Sequence, residues 1–322
     1  MLLLPAMIVT YKDDPVFLHS FNYALGGLRR NLDELKDQNL LLGDVATLRE
    51  AGYEYNFALG SNETLLQLAS RPVLETGQMS DGIDAMVFQH CYQESAVLPY
   101  APNEPDVALR NRYFAAEVMR ELKLDHLPYL CSFASGCAGF ASILLTAAGL
   151  FDSSEARSTI CVMADSMPPG VPFNMLRERI LQSDQSSAFR LGRERRGYRL
   201  LGINFYSTVR IAVPFVEIVR RAVEMINALA AELRLEMTQS DVALHYPNMF
   251  PDIWRMVTRY LTMPRREHIM ENIRERAHCM ATDSVVTLKN HHQRREGRIH
   301  VIVSYGIGLH LGVCILREEA AP

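Results

Sequence analysis

A cysteine in a glycine-rich turn, Cys137, is the residue of this sequence best placed for chemistry. An apolar stretch at 127–133 precedes it and an apolar run at 141–150 follows it, so the pattern predicts a strand that turns into a helix. Gly136 and Gly139 would let a backbone or a substrate approach closely. A free thiol has a pKa of about 8.5, so it is only partly ionised at neutral pH. At a helix N-terminus the dipole and free N–H groups stabilise the thiolate. The local sequence equally allows a buried cysteine that serves as a small core residue.

Helices and short buried strands alternate along the chain, which predicts an α/β fold in layers. Helices are predicted over 31–54, from Asn62 onwards, and over 107–122, 141–150, 215–235 and 252–261. Strands are predicted over 1–10, 83–90, 127–133, 159–164, 187–191, 198–209, 241–246, 300–303 and 309–316. A helix followed by a short apolar strand that ends in His occurs twice, at 62–90 and 215–245, which indicates two similarly built halves.

The composition is that of an ordinary globular protein of 322 residues, with 48% hydrophobic and 22% charged residues. The formal net charge of -4 gives no basis for general nucleic-acid binding. The apolar segment 1–10 lacks a basic region and is too short to cross a bilayer, so it favours a strand over a targeting signal. The six cysteines show no CxxC pair and no zinc spacing, so we expect reduced thiols in the cytoplasm and no metal site.

Four motifs follow one another in an order that resembles the thiolase superfamily, and ketoacyl synthase III within it. They are Gly136-Cys137-Ala138-Gly139-Phe140, His245-Tyr246-Pro247-Asn248, the turn at 278–283, and Tyr305-Gly306-Ile307-Gly308. In that family a similar elbow carries a cysteine, a histidine lies in His-x-x-Asn, and a Gly-rich turn precedes the last strand. The resemblance implies a thiolase-like fold of two similar βαβαβ-type halves, packed as α/β/α/β/α layers. The half at 1–205 would carry the nucleophile and the half at 206–322 the catalytic histidines.

The loop at 277–283 departs from ketoacyl synthase III. That family has Gly-Asn-Thr-Ser there, whereas this chain has His278, followed five positions later by Asp283. The pair resembles the acyltransferase branch of the superfamily, in which a Cys or Ser works with a His and an Asp. The resemblance implies Cys137 as the nucleophile, His278 as the general base and Asp283 as the residue that orients the base.

Two further site assignments accompany this triad. The backbone N–H groups of Cys137 and Gly306 are the expected oxyanion hole, and His245 is a second base or hydrogen-bond donor. Simpler interpretations stay open at this stage. His245 ends an apolar strand and could be a hydrogen-bonded structural residue, while His278 could be an exposed residue at a helix end. Asp283 could cap the helix that follows it.

Two other pairs of residues are weaker candidates for chemistry. His90 and Cys91 are adjacent at a strand, so their side chains should point to opposite faces and should not form a catalytic dyad. His291 and His292 lie in a polar, basic run, which is typical of a solvated helix or loop.

The residues just after the His245 motif could bind the acyl donor. They are an aromatic and four cations, Trp254, Arg255, Arg259, Arg265 and Arg266, and Asn248 at the end of the motif would also bind the donor. In the family that the chain resembles, this helix lies near the mouth that receives coenzyme A or an acyl carrier protein. Both partners are anionic, and the guanidinium group suits phosphate. A solvated cationic helix face is the alternative.

These observations together predict an acyltransferase that acts in specialised biosynthesis. It would load an acyl group from a coenzyme A or phosphopantetheine thioester onto Cys137 and pass it to a hydroxyl or an amine. The resemblance implies a homodimer, with the thioester as substrate and no permanently bound cofactor. Decarboxylative carbon–carbon condensation, with His245 and His278 replacing the usual His/Asn pair, is one alternative. A non-catalytic subunit of a heteromeric synthase is the other.

Overall fold

The computed structural model describes residues 7–77, 82–98, 105–106, 112–133, 135–175, 179–210, 213–292 and 295–319. The strands in these ranges are β1 Met7–Thr10, β2 Val16–Leu25, β3 Leu28–Asn31, β4 Tyr55–Ala58, β5 Ala85–Gln89, β6 Tyr129–Ser132, β7 Ser158–Asp165, β8 Asn174–Met175, β9 Ile180–Leu181, β10 Gln185–Gly192, β11 Tyr198–Ser207, β12 Val242–His245, β13 Arg266–Ile269, β14 Ile299–Gly306 and β15 His310–Glu318. The helices are α1 Leu32–Asp37, α2 Val45–Glu50, α3 Leu65–Glu75, α4 Gln93–Ala96, α5 Phe114–Glu121, α6 Gly139–Ser153, α7 Phe215–Glu232, α8 Pro251–Tyr260, α9 Ile273–Arg276 and α10 Asp283–Asn290.

The main sheet contains the same five-stranded unit twice. Its order is β13-β12-β14-β15-β11-β2-β10-β7-β5-β6, with β1 added to β11. If the strands of each unit are numbered along the chain, both units have the spatial order third, second, fourth, fifth, first. In both, the second strand is parallel to the third and fourth, and the fifth is antiparallel to the fourth and first. The predicted α/β class with two similar halves is confirmed.

The two units meet through their first strands and enclose a shared layer of helices. Short antiparallel pairing of β2 with β11 joins the units. Helices α6 and α10 pack in one apolar cluster with β7 and β10 of the first unit and with β11, β14 and β15 of the second. Helices α3 and α5 cover the outer face of the first unit, and α7 and α8 cover that of the second. Alternate strand residues therefore face different layers, which gives the predicted α/β/α/β/α arrangement.

The second unit begins at β11, that is, at Tyr198. The division of the chain into 1–205 and 206–322 stays a prediction. Strand β1 confirms the end of the strand predicted over 1–10, and residues 1–6 lie outside the described part of the chain. The helix predicted over 31–54 is wrong in extent, because α1 and α2 replace it. Asn39 and Gly43 between them have φ of 55° and 71°, which ends the first helix.

Two helix boundaries also differ from the prediction. Helix α3 begins after Thr64 rather than at Asn62. The Thr64 hydroxyl accepts a hydrogen bond from the backbone N–H of Gln67, and the Gln67 side chain accepts one from the backbone N–H of Thr64. The helix predicted over 107–122 is observed as α5, and 107–111 lie outside the described residues. The strand β13 was not predicted, because Arg266–Ile269 is short and three of its four residues are polar.

Candidate active site

Two matching turns bring together residues that lie far apart in the sequence. A 3₁₀ turn at Gly136–Ala138 leads into α6, and a 3₁₀ turn at Met280–Thr282 leads into α10. The first residue of each turn has a positive φ, 51° for Gly136 and 50° for Met280. The two turns are in contact. Since each turn follows the third strand of its unit, the duplicated fold itself sets Cys137 against the loop at 278–283.

Cys137 lies where the sequence predicts it, at the start of a helix, and only 5% of the residue is exposed. The neighbouring thiol of Cys91 favours the ionised form of Cys137, and the imidazole of His278 acts in the same direction. These two neighbours outweigh burial and lower the pKa of the Cys137 thiol well below its ordinary value. The site therefore favours a thiolate, which is the form of cysteine that acts as a nucleophile.

His278 is the basic partner of Cys137. Its ring is fully buried, and Nδ1 donates to Asp283 Oδ2 over 2.6 Å. This bond leaves Nε2 for the Cys137 thiol, the other group that interacts with the imidazole. Burial opposes the charged ring, but Cys137 and Asp283 outweigh it and raise the pKa of His278. Burial also excludes the interpretation of His278 as an exposed helix-end residue.

Asp283 is held ionised by a buried cation that the sequence did not indicate. Arg276 Nη1 donates to Asp283 Oδ1, and the backbone N–H groups of Asn248 and Cys279 donate to the same carboxylate over 2.8 and 3.2 Å. Burial raises the pKa of Asp283, but Arg276 and His278 outweigh it and lower the pKa to about 2. Helix α10 begins at Asp283 itself, and the carboxylate binds these groups rather than capping the helix.

The turn at Gly306 packs directly on the backbone of Cys137. A Cβ atom at Gly306 would lie 2.3 Å from the carbonyl oxygen of Ser135 and 3.3 Å from the backbone nitrogen of Cys137. The structure thus brings together the two residues that were predicted to form the oxyanion hole. Only glycine fits at this contact without moving the turn.

His245 lies elsewhere, so its assignment to the catalytic site is wrong. Its Nε2 is 3.0 Å from His300 Nδ1, and His300 Nε2 donates in turn to Glu318 over 3.2 Å. Its ring centroid is 6.4 Å from that of His291, which follows the C-terminal end of α10. The thiol lies at the opposite end of α10, and an eight-residue helix is about 12 Å long. Burial and the neighbouring His300 lower the pKa of His245, so it is a neutral, structural residue.

Two of the predicted substrate-binding residues are structural as well. Asn248 is fully buried, and its side-chain Nδ2 donates to the carbonyl oxygens of Glu271 and Ala277, which fixes the loop that carries His278. Trp254 is fully buried, donates to the carbonyl oxygen of Met249 over 2.6 Å and stacks on Tyr246. Neither side chain is available to a carrier at the surface.

The two arginines of helix α8 are exposed, as a donor site requires. Arg255 pairs with Asp252 over 2.6 Å, and Arg259 lies one turn further along the helix. Arg255 lines a cavity of about 600 Å³ at the start of α8. The lining also includes Thr47, Arg179, Phe215, Phe250 and Met270. Phe250 and Met270 pack against the large apolar cluster of the second unit, so this cavity adjoins that cluster.

The segment after β5 supplies neighbours of Cys137 that the sequence did not indicate. His90 Nδ1 bonds the carbonyl oxygen of Ala164, whereas the Cys91 thiol interacts with the Cys137 thiol. The two side chains therefore diverge, and the rejection of a His90–Cys91 dyad is correct. The backbone N–H groups of Cys91 and Tyr92 donate to the buried carboxylate of Asp165 over 2.8–3.0 Å. Cys91 and Tyr92 could have been predicted as site residues because they follow the carboxyl end of a parallel strand, where ligands bind in α/β sheets.

No protein-family model and no curated protein matches the sequence. Solved structures do match. The 3-oxoacyl-(acyl-carrier-protein) synthase III of Aquifex aeolicus VF5 is 15% identical, with 94% of this chain and 99% of that chain covered and a TM-score of 0.73. ChlB3, an acyltransferase, is 15% identical, with 95% and 98% covered and a TM-score of 0.74. AbyA1, a tetronic acid condensing enzyme, is 16% identical, with 95% and 100% covered and a TM-score of 0.70. These matches show the thiolase-like, ketoacyl synthase III-type fold predicted from the motifs.

Proposed function

We propose that this chain is an acyltransferase of the ketoacyl synthase III type, which carries an acyl group on Cys137. The observation that supports this function is the buried contact of a thiol with a low pKa, an imidazole with a raised pKa and an ionised carboxylate. A structural cysteine would need none of these partners. The donor would be a thioester of coenzyme A or of the phosphopantetheine arm of an acyl carrier protein.

In the first half-reaction, the Cys137 thiolate attacks the carbonyl carbon of the donor thioester. The tetrahedral intermediate places its negative oxygen between the N–H groups of Cys137 and Gly306, and loss of one such donor costs about 3 kcal/mol in other enzymes. The bond to the carrier sulfur then breaks. The departing thiolate takes a proton from the His278 imidazolium, which leaves an acylated cysteine and a neutral imidazole.

In the second half-reaction, His278 Nε2 takes the proton from a hydroxyl or amine acceptor as that acceptor attacks the acyl-cysteine. Collapse of the new intermediate releases the ester or amide and restores the thiolate and the imidazolium. Asp283 keeps the imidazole oriented and stabilises its charge throughout. A heteroatom acceptor is favoured because a base with an acidic partner stands where ketoacyl synthase III has an asparagine. We place this activity in specialised biosynthesis.

Decarboxylative condensation is the alternative function, and the similarity in fold to a tetronic acid condensing enzyme keeps it under consideration. It was expected to use His245 together with His278, and the bond of His245 to His300 removes that support. Release of carbon dioxide from a malonyl donor would identify condensation. A non-catalytic subunit of a heteromeric synthase would show no acylation of Cys137 at all.

The carrier would dock at the start of α8. The exposed guanidinium groups of Arg255 and Arg259 suit the phosphates of coenzyme A or of phosphopantetheine. The cavity beside Arg255 would receive the pantetheine arm.

A second copy of the chain would pair along β6, which ends the main sheet and leaves one edge unpaired among the described residues. Tyr129, Leu130 and Phe133 on and beside this strand are 38%, 42% and 60% exposed. An apolar, unpaired edge is a template for pairing with another chain. We therefore propose a homodimer, and a cytoplasmic location in keeping with the six free thiols.

Intact-protein mass spectrometry tests the proposal. The protein is incubated with a panel of acyl coenzyme A and acyl-carrier-protein thioesters, beside the variants Cys137→Ala and Cys161→Ala. Cys161 is a buried thiol of the central layer whose pKa is raised by burial, so it controls for non-specific acylation. An adduct on the wild type and on Cys161→Ala, but not on Cys137→Ala, supports the acyl-enzyme. Absence of an adduct with every donor would favour the non-catalytic subunit.

A further inference from the structure

A tyrosine and a glutamine that have no role in the proposed half-reactions lie beside the Cys137–His278 pair. Tyr92 follows Cys91, whose thiol interacts with the Cys137 thiol, and the Tyr92 phenol interacts electrostatically with the Cys137 thiol as well. The Tyr92 hydroxyl donates to Gln182 Oε1 over 2.5 Å. Gln182 in turn forms a parallel β-bridge with His278. Bridged residues carry their side chains on the same face, so the Gln182 amide lies next to the His278 ring.

The Gln182 amide leaves one polar atom without a partner. The residue is fully buried, Oε1 is occupied by Tyr92, and Nε2 makes no hydrogen bond within the described part of the protein. If the amide is turned around, Nε2 bonds the tyrosine oxygen and Oε1 becomes the unpaired atom, so either orientation leaves one polar atom unpaired. Buried polar groups are nearly always paired in folded proteins, and an unpaired one destabilises the fold.

We propose that the Tyr92–Gln182 pair selects acyl donors that carry a hydroxyl or a carbonyl close to the thioester. This inference rests on the proposed acylation of Cys137. Gln182 is next to His278 in the fold, and His278 interacts with the sulfur that would carry the acyl group. Only the first carbons of that acyl group lie within reach, so the polar atom belongs on C2 or C3. It completes the hydrogen bonding of Gln182, whereas an unsubstituted alkyl chain leaves the amide unpaired.

A competition between donors of equal length tests this selection. Equimolar butyryl, 2-hydroxybutyryl and 3-hydroxybutyryl coenzyme A are mixed with the wild-type protein, and the early adducts on Cys137 are measured by mass spectrometry. We expect one hydroxylated donor to acylate at least about tenfold faster than butyryl. In Gln182→Leu the ratio should fall to about one, because the unpaired amide is gone. Tyr92→Phe, which removes only a hydroxyl, should lower the ratio and serves if the leucine variant does not fold.

A matched control and the opposing results complete the test. Gln239→Leu makes the same replacement at an exposed position and should keep the wild-type ratio. Equal acylation by the hydroxylated donors and butyryl, or a ratio unchanged in both Gln182→Leu and Tyr92→Phe, would overturn the inference and leave the proposed acyltransferase intact. Such a result would mean that a bound water pairs with the amide. Absence of every adduct would overturn the proposed function, and this inference with it.

Discussion

Replacement of Asp283 by asparagine should damage both the stability of the protein and the reactivity of Cys137. The Asp283 carboxylate is 2% exposed and lies between Arg276, 6% exposed, and His278, which is completely buried. Asparagine keeps the shape of the side chain and one acceptor oxygen but removes the charge. The variant therefore leaves a buried guanidinium without its counter-charge, and an imidazole without the carboxylate that keeps it protonated.

The expected loss of stability follows from the pKa of Asp283 and from the burial of its partners. Burial raises this pKa, but Arg276 and His278 lower it from 3.8 to about 2. That difference corresponds to about 2 kcal/mol. Breaking a buried ion pair by removing one partner costs about 3–5 kcal/mol. We expect Asp283→Asn to lower the free energy of unfolding at pH 7 by about 2–5 kcal/mol. Since the folded-state pKa is depressed, the wild-type advantage is complete above pH 3.8 and is lost as the pH falls through about 2.

Asp283 influences the pKa of the Cys137 thiol in two opposite ways: its own charge raises this pKa, whereas the imidazolium that it stabilises lowers it. The neighbouring Cys91 thiol and the charge of His278 lower the pKa of the Cys137 thiol to about 5, while the Asp283 carboxylate raises it. This direct repulsion is the weakest of these effects, so the loss of the imidazolium decides the outcome. We expect the inflection in the rate of alkylation by iodoacetamide to rise from about 5 toward the ordinary thiol value of about 8.5.

Urea unfolding and pH-dependent alkylation of Cys137 check these expectations. Asp252→Asn is the matched control, because Asp252 and Arg255 form an equally short pair that is 87% and 61% exposed. An exposed pair contributes at most about 1 kcal/mol, and this one lies outside the contact of Cys137 with His278. If Asp283→Asn unfolded like Asp252→Asn and its alkylation profile matched the wild type, the assigned charge network would be refuted.

Three further perturbations probe the backbone contact at the thiol, the sheet edge and the carrier site. Gly306→Ala should slow acylation of Cys137 about a hundredfold without changing donor affinity, because the added methyl group would displace the turn at Gly306. A kcat equal to that of the wild type would contradict this. Leu130→Glu should convert a dimer into a monomer in analytical ultracentrifugation, and an unchanged mass would exclude the β6 edge. The double variant Arg255→Ala/Arg259→Ala should raise KM for coenzyme A donors several-fold at low salt and less at high salt. The control Arg220→Ala, at an exposed position on α7, should leave KM unchanged. A KM that does not depend on salt would count against phosphate recognition.

The elements around the nucleophile could be predicted because local sequence determines them. An apolar strand, a run of small residues and an apolar helix specify the elbow of Cys137 without help from the rest of the chain. The pairing of His278 with Asp283 could be predicted from a motif of the superfamily. In both cases the residues that matter lie within a few positions of each other.

The errors concern residues whose role depends on which face of an element they occupy. Strand β12 is buried on both faces, so its apolar pattern does not reveal that His245 points to His300 rather than to the thiol. Arg276 ends a charged segment that is typical of a solvated helix, yet the fold buries it against Asp283. Tertiary contacts from other elements decide both positions, and no spacing in the sequence encodes them.

The matching turns before α6 and α10 have a consequence for the timing of activity during synthesis. By position, Ala281 in the second turn corresponds to Cys137 in the first, so one copy retains the sulfur while the other holds the acid and base. A nascent chain that has completed only its first unit contains the cysteine but lacks His278, Asp283 and the Gly306 turn. His278 therefore does not lower the pKa of this thiol until the second unit emerges and folds against the first. The duplicated architecture thus completes the charge network around Cys137 only after the second unit has been synthesised.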